Sequence, residues 1–420
     1  MAERPHEQVE DTPPLGAIGG FSAYSKVTYQ MTTRTAALGH AVAHIPMGHA
    51  NKMGRQMEKG VTIYESGENA FGEDLAPSQY VDFGADILVV FKETWNLQEL
   101  YRQALNFVPY CAIDHSPVST SLTSRMQTAF RVLTPSRHGQ MELRREGIEN
   151  VHYLPHGVDT KVYRPLDKAA CRKQWFLDED DFVVLFVGWN RVRKMIPRML
   201  RVYKRFLELN PDAKAHFMLW TRVIPDAAPQ ESVGVSDVGV NLIPEIMRLS
   251  LASGKNDVRW FDPNEWSKMY RMGGIPEWDP TGGWDMVKLY NCANALLSTT
   301  GGEGFGETLI EAQACGVPVE TTDYAAGPEQ VGAGYSIPPS DYIIASTPGC
   351  RLALVDIDKA AEALTKIYNA DRAKLARRAR AYAERYDWPT VIDRYWKPFL
   401  DECEGDLYPK ITKEGVSRWA

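Results

Sequence analysis

Residues Leu296 to Val331 read LLSTTGGEGFGETLIEAQACGVPVETTDYAAGPEQV, and the order of residue types in this stretch decides the fold. Leu296 and Leu297 open it as a short apolar run, and a loop carrying Gly301, Gly302, Gly304 and Gly306 follows. The pattern then suits a helix from about Glu307 to Cys315, stopped by Gly316, and a second strand from Val317 to Thr322. Strand, loop, helix, strand is the unit from which parallel α/β sheets are built. A helix start presents free N–H groups and the positive end of the helix dipole, and glycines let a phosphate approach both. Glu303 and Glu311 bracket that start, one in the loop and one about a turn inside the helix. Carboxylates accept hydrogen bonds in pairs and so suit the vicinal hydroxyls of a ribose or hexose. Together these features describe a pocket for a phosphate flanked by sugars, as in a nucleotide sugar.

Working outward, EGFGETLIEAQACGVPV (Glu303–Val319) resembles the E-x(7)-E signature of the retaining glycosyltransferases of family 4, the glycosyl transferases group 1. Every fixed position of the pattern E-G-F-G-x-x-x-x-E-A-x-A-x-G-x-P-V is met. The resemblance implies the GT-B fold, two facing Rossmann-like α/β domains with parallel sheets and the reaction in the cleft between them. It extends over roughly residues 16–400 and is thinnest at 223–283.

Composition is consistent with this class. The chain has 420 residues, enough for two or three domains, with 44% hydrophobic and 24% charged residues, as in soluble globular proteins. A net charge of −7 argues against binding nucleic acid by phosphate neutralisation and against broad attachment to anionic lipid, while local basic patches stay compatible with it. The six cysteines are scattered without a Cys-x-x-Cys pair, which predicts reduced thiols and no structural zinc. The opening MAERPHEQVEDTPPLG lacks the apolar core of a signal peptide, and no run reaches bilayer length. The expectation is a cytoplasmic protein that does not span a membrane, with peripheral membrane contact left open.

Upstream, GAIGG (Gly16–Gly20) leads into a helix that Gly39 breaks and a strand over Ala41–Ile45. By resemblance Gly19 and Gly20 form the Gly-Gly loop beside the donor phosphates. His40, His44 and His49 are not read as a metal site, because residues four apart in a strand lie about 13 Å apart. Tyr110–Asp114 reads as a strand ending in DHSP. His115 then falls at the carboxyl end of a strand, where open α/β sheets bind ligands, and in the resembling family a histidine there sits beside the transferred sugar. The turn Pro155–Asp159 resembles the family's crossing between domains, with His156 structural. Phe182–Val187 is a second-domain strand, and the basic loop after it carries Arg191, Arg193 and Lys194. Cations at a helix start oppose the dipole, which hints at an anionic ligand. Lys194 matches the family lysine, whereas Trp189 occupies the usual arginine position, so Arg191 or Arg193 has to substitute. Trp260–Phe261 falls where the family places the base. Trp266 and Trp278 in the irregular stretch 223–283 are either stacking platforms or core.

These readings assign residues 1–165 to an acceptor-side domain, 166–385 to a nucleotide-sugar domain, and 386–420 to a helical tail crossing back. The implied catalytic residues are His115, Glu303 and Lys194. The implied donor-binding residues are Gly19, Gly20, Arg193, Lys194, Glu303, Phe305, Gly306, Glu307, Thr308 and Glu311. Glu311 would accept the ribose hydroxyls and Glu303 those of the donor sugar, while the amides of residues 305–308 would meet the phosphates. The expected activity is transfer of a hexose-type sugar from a nucleoside diphosphate sugar to a hydroxyl with retention. No cofactor or metal ion is required, and the acceptor (glycan, lipid, protein or small molecule) is open. A same-fold sugar-nucleotide epimerase and a non-catalytic sugar-nucleotide binder are the alternatives.

Overall fold

A computed structural model of the chain describes residues 23–47, 54–69, 71–97, 100, 105–173, 175–225, 239–261, 283–344, 350–408, 411–412 and 415–416. Strands are numbered in chain order. The first part holds β1 (Val42–His44), β2 (Gln56–Glu58) and β3 (Val61–Ile63) in a small sheet of order β1-β3-β2. Beside it β4 (Leu88–Phe91), β5 (Phe107–Tyr110), β6 (Val132–Thr134) and β7 (Val151–Tyr153) form a parallel sheet in that order.

One strand expectation needs correction. Tyr110 closes β5 rather than opening a strand, and Ala112–Asp114 run on outside the sheet toward the second domain. Pro109 lies inside β5 opposite Val90, and a proline with no ladder donor hides that strand from a sequence reading.

The second domain is a six-stranded parallel sheet of order β10-β9-β8-β11-β12-β13. Its members are β8 (Phe182–Val187), β9 (Ala215–Trp220), β10 (Val258–Phe261), β11 (Ala295–Ser298), β12 (Val319–Thr322) and β13 (Gly334–Ile337). The chain winds outward from β8 in one direction and then restarts at β11 in the other, so β8 and β11 flank the topological switch point. β8 shows why its sequence is apolar throughout. Phe182, Val184 and Phe186 enter the core beneath the Ile196–Leu209 and Ile357–Tyr368 helices. Val183, Leu185 and Val187 enter the core on the opposite face with Tyr290 and Leu309. A parallel strand covered on both faces cannot alternate with polar residues.

β12 breaks that rule at Glu320, which pairs in register with Leu297 and Tyr335. Its side chain is fully buried and neither carboxylate oxygen has a hydrogen-bond partner among the described residues. Burial pushes its pKa far above the usual carboxylate range. The folded state therefore keeps a proton that the unfolded chain releases. Stability is complete below the ordinary carboxylate pKa and declines as pH climbs from there toward the folded value. Glu320→Leu is expected to stabilise the fold at neutral pH by about 1–3 kcal/mol, the usual penalty for orphaned buried polar atoms. Urea midpoints at about pH 5 and pH 8 check this: the gain should grow with pH, and a leucine variant less stable at pH 8 would refute it.

The tail returns to the first domain. Trp388, Val391, Ile392, Trp396, Phe399 and Cys403 share a core with Val27 and Met31 of the Ala23–Ala37 helix and with Val108, Tyr110, Leu133 and Leu154. The two places where the chain passes between domains touch. Val158 donates its N–H to Tyr386 O (2.8 Å) and accepts from Trp388 N (3.2 Å). Gly157 lies so close under the Trp388 ring that a Cβ there would stand 2.4 Å from it. Among the described residues no helix is long and apolar enough to cross a membrane.

Candidate active site

The loops after β8 and β11 leave the sheet at the switch point and meet. After β8 comes a short 3-10 turn, Val192–Lys194, which Met195 ends in the left-handed region (φ +51°). Arg193 O accepts the Gly301 N–H at 2.7 Å, which ties this turn to the glycine loop. Gly306 caps the Glu307–Ala314 helix at φ +91°, a conformation that disfavours any side chain. No side chain caps that helix start. Leu309 N–H donates to Gly306 O at 3.0 Å, while the Glu307 and Thr308 amides precede any intrahelical acceptor and face the side where an anion can bind.

Side chains from both domains converge on this point. Lys194 Nζ donates to Glu303 Oε1 at 2.6 Å, and Arg193 Nη1 lies 3.4 Å from Glu303 Oε2 and donates to Gly302 O at 2.6 Å. Burial would raise the Glu303 pKa, but Lys194 and Arg193 outweigh it and hold the carboxyl below its ordinary range. Arg193 Nε also reaches Asp114 Oδ2 of the first domain (3.1 Å). Burial again works upward at Asp114, yet Arg193 and the His115 ring bring it down to about 2. This interdomain pair therefore contributes stability above the ordinary aspartate range and loses it only as pH falls toward 2.

Asp114 Oδ1 lies 2.8 Å from His115 Nδ1, which fixes the ring proton on that nitrogen. His115 is buried, stacks near Trp95, and its Nε2 has no hydrogen-bond partner among the described residues. An unpartnered buried acceptor is what a substrate hydroxyl requires. The glycine loop presses on this segment: a Cβ on Gly302 would lie 1.9 Å from Asp114 O, and one on Gly304 2.6 Å from Ala112 Cβ. Tyr324 adds a further tie, its hydroxyl accepting from Ser116 N at 2.8 Å.

Arg193 rather than Arg191 occupies the cleft, since Arg191 is exposed and Trp189 is 60% exposed to solvent. The Phe305 ring is buried against His156 and Tyr386, so only its backbone is available to a ligand. His156 sits among Phe91, Tyr110 and Phe305, 3.0 Å from Glu307 Oε1. Thr308 is half-buried at the helix start. Gly19, Gly20, His49, Trp266 and Trp278 lie outside the described residues. No group of three His, Cys, Asp or Glu able to hold a metal ion occurs among the described residues.

Glu311 is buried and both its oxygens are engaged: Tyr290 Oη donates to Oε2 (2.7 Å) and Lys26 Nζ to Oε1 (2.5 Å). Lys26 also lies 3.7 Å from Glu307 Oε2. Burial would lower the Lys26 pKa, but Glu311 carries it well above the usual lysine value. Sequence reading passed over Lys26 and Asp114. The signal for Lys26 was the one used for Lys194, a cation in the first turn of a helix. A ribose that takes Glu311 has to displace Lys26. Lys26→Met is expected to tighten nucleotide binding about 3- to 10-fold, by removing a competing, partly exposed ion pair worth about 1 kcal/mol. Titration calorimetry decides: weaker binding in the variant would make Lys26 a ligand contact instead of a competitor.

Residues 281–386 match the family described as Glycosyl transferases group 1. That match covers the glycine loop, the Glu307–Ala314 helix and the strands and helices that follow it in the second domain. Among curated proteins, the D-inositol 3-phosphate glycosyltransferase of Saccharomonospora viridis is 26% identical over 245 residues, covering 58% of this chain and 48% of that protein. The chain thus spans about half the length of the curated relatives it matches. Among solved structures, a sucrose-phosphate synthase from Thermosynechococcus elongatus superposes with TM-score 0.66 at 17% identity, covering 90% of this chain and 93% of that one. The Anabaena HepE protein in complex with UDP-glucose gives 0.55 at 18% identity, covering 82% and 87%. The fold of the chain is GT-B.

Proposed function

We propose that the chain transfers a hexose-type sugar from a nucleoside diphosphate sugar to an acceptor hydroxyl, with retention of configuration and without a metal ion. The observation that carries this reading is the convergence of Arg193, Lys194 and Glu303 beside the open amides of the Glu307–Ala314 helix. Two cations and a helix start supply the charge that a departing diphosphate needs, the work a divalent ion does elsewhere. In the transfer the bond from C1 to the phosphate oxygen breaks and the bond from C1 to the acceptor oxygen forms. The acceptor proton passes to the departing phosphate.

The state of the carboxylates supports same-face attack through an oxocarbenium-like centre. Glu303 is neutralised by Lys194 and Arg193, and Asp114 is paired with Arg193 and hydrogen-bonded by the His115 ring, which makes both poor nucleophiles for a double displacement. His115 Nε2 would accept a hydroxyl of the transferred sugar, and Glu311 the ribose diol. Gly19 and Gly20 are assigned to the phosphate loop of the first domain by family resemblance. The relative solved with UDP-glucose makes UDP-sugars the first donors to try, and the inositol phosphate enzymes make a phosphorylated polyol the first acceptor.

Thermal shift against UDP-, GDP-, ADP- and TDP-sugars in EDTA should show one nucleotide class raising the melting temperature by several degrees at millimolar ligand. Proton NMR of the product should then show the donor's anomeric configuration. An inverted product would remove retention, and activity that needs added magnesium would remove metal independence. No stabilisation by any donor would remove the whole reading.

A further inference from the structure

Outside the cleft, the first domain carries a groove of about 620 Å³ along β7, the edge strand of its parallel sheet. One wall is the Arg137–Arg145 helix and the other is the returning tail, including the π-helical stretch Ile392–Trp396. Such stretches widen a helix locally and recur at functional positions. The lining gathers Arg131, Arg137, Arg144, Arg394 and His152 in a protein whose net charge is −7.

The charges in the groove are not all spoken for. Glu402 and Asp406 both pair with Arg131, and Glu402 also lies 3.7 Å from His152. Arg137 lies over the Tyr153 ring at 3.9 Å. Arg144 makes only a long contact, 3.5 Å to Val151 O, and Arg394 has no hydrogen-bond or ion-pair partner among the described residues. Glu149 is the remaining carboxylate of the lining. Burial lowers the His152 pKa; Glu402 works against that, and Arg131 and Arg144 add to it.

We propose that this groove is a second anion site, binding the phosphate group of a phosphorylated ligand between Arg144 and Arg137 on the helix and Arg394 on the tail. Guanidinium forks suit phosphate oxygens, two to a fork, and the Tyr153 face holds the Arg137 plane in place. The site stands apart from the cleft, so it goes beyond the transfer reaction proposed above and does not rest on it. The same chemistry can be presented by a soluble phosphomonoester or by a lipid headgroup.

Two arms distinguish these sources. In the first, calorimetry with glycerol 3-phosphate is run on the full chain. In the second, the chain is co-sedimented with phosphatidylcholine vesicles containing phosphatidic acid. Saturable binding in either arm is expected to fall at least tenfold in the double variant Arg144→Gln, Arg394→Gln, whose changed side chains are both exposed. The same binding should persist in Lys194→Ala, which separates the groove from the cleft. Binding to the soluble ester assigns a free phosphate, and binding to vesicles alone assigns a headgroup. Failure of both probes to bind, or undiminished binding in the double variant, overturns the proposal.

Discussion

Replacing Lys194 by alanine is expected to lower turnover about 10²- to 10³-fold while changing donor affinity far less. Removing one preorganised group aimed at developing charge usually has an effect of this size. Lys194 meets the conditions for it: the ammonium is fixed 2.6 Å from Glu303 at the end of a turn locked to Gly301. In the resting protein Glu303 stands where the negative charge of a departing diphosphate would compete for the same cation. Charge builds on that diphosphate as the sugar leaves, so the loss falls on the transition state and appears in kcat more than in KM. Lys194→Arg should recover only part of the rate, because a planar fork cannot occupy the space of a point charge. Single-turnover kinetics with the active donor make the test. A Lys194→Ala enzyme as fast as the parent would mean that the phosphates lie elsewhere.

The second large effect concerns Glu311. Glu311→Gln should weaken nucleotide binding about 10- to 100-fold and leave kcat at saturating donor within a few fold. Two hydrogen bonds from a diol to a buried carboxylate are worth about 1.5–3 kcal/mol each before losses, and an amide keeps one acceptor only. The Tyr290 hydroxyl holds the group in the right orientation, so the substitution tests charge and acceptor count rather than position. Lys26 would lose its nearer carboxylate in the same variant and keep only Glu307, 3.7 Å away. The Lys26→Met, Glu311→Gln pair should therefore show coupling, with the double change milder than the sum. Full affinity in Glu311→Gln would move the ribose away from this helix.

Much of this was legible in the chain, and for identifiable reasons. β8 could be placed because burial on two faces leaves an unbroken apolar run, and the Ile196–Leu209 helix because burial on one face leaves a pattern of period 3.6. The glycine loop was legible because a helix start pressed against another backbone tolerates nothing larger, as Gly302 and Gly304 show against Ala112 and Asp114. What stayed hidden arises between domains. Lys26 lies 285 positions from Glu311, and Arg193 reaches Asp114 across the cleft, with no local pattern to announce either contact. Glu320 was invisible for another reason: within GVPVETTD a glutamate reads as a polar strand end, and only the packed sheet shows it sealed inside.

The paired passages at Val158 and Asp387 carry a mechanical implication. With both connecting threads pinned at one spot, the halves are joined like covers at a spine, and any swing is largest at the far lips. The halves are also fastened by the charged Arg193–Asp114 pair and the Tyr324 hydroxyl. Ionic strength should therefore act as a spring setting: high salt screens the charged fastening, lets the book fall open, and leaves the spine untouched.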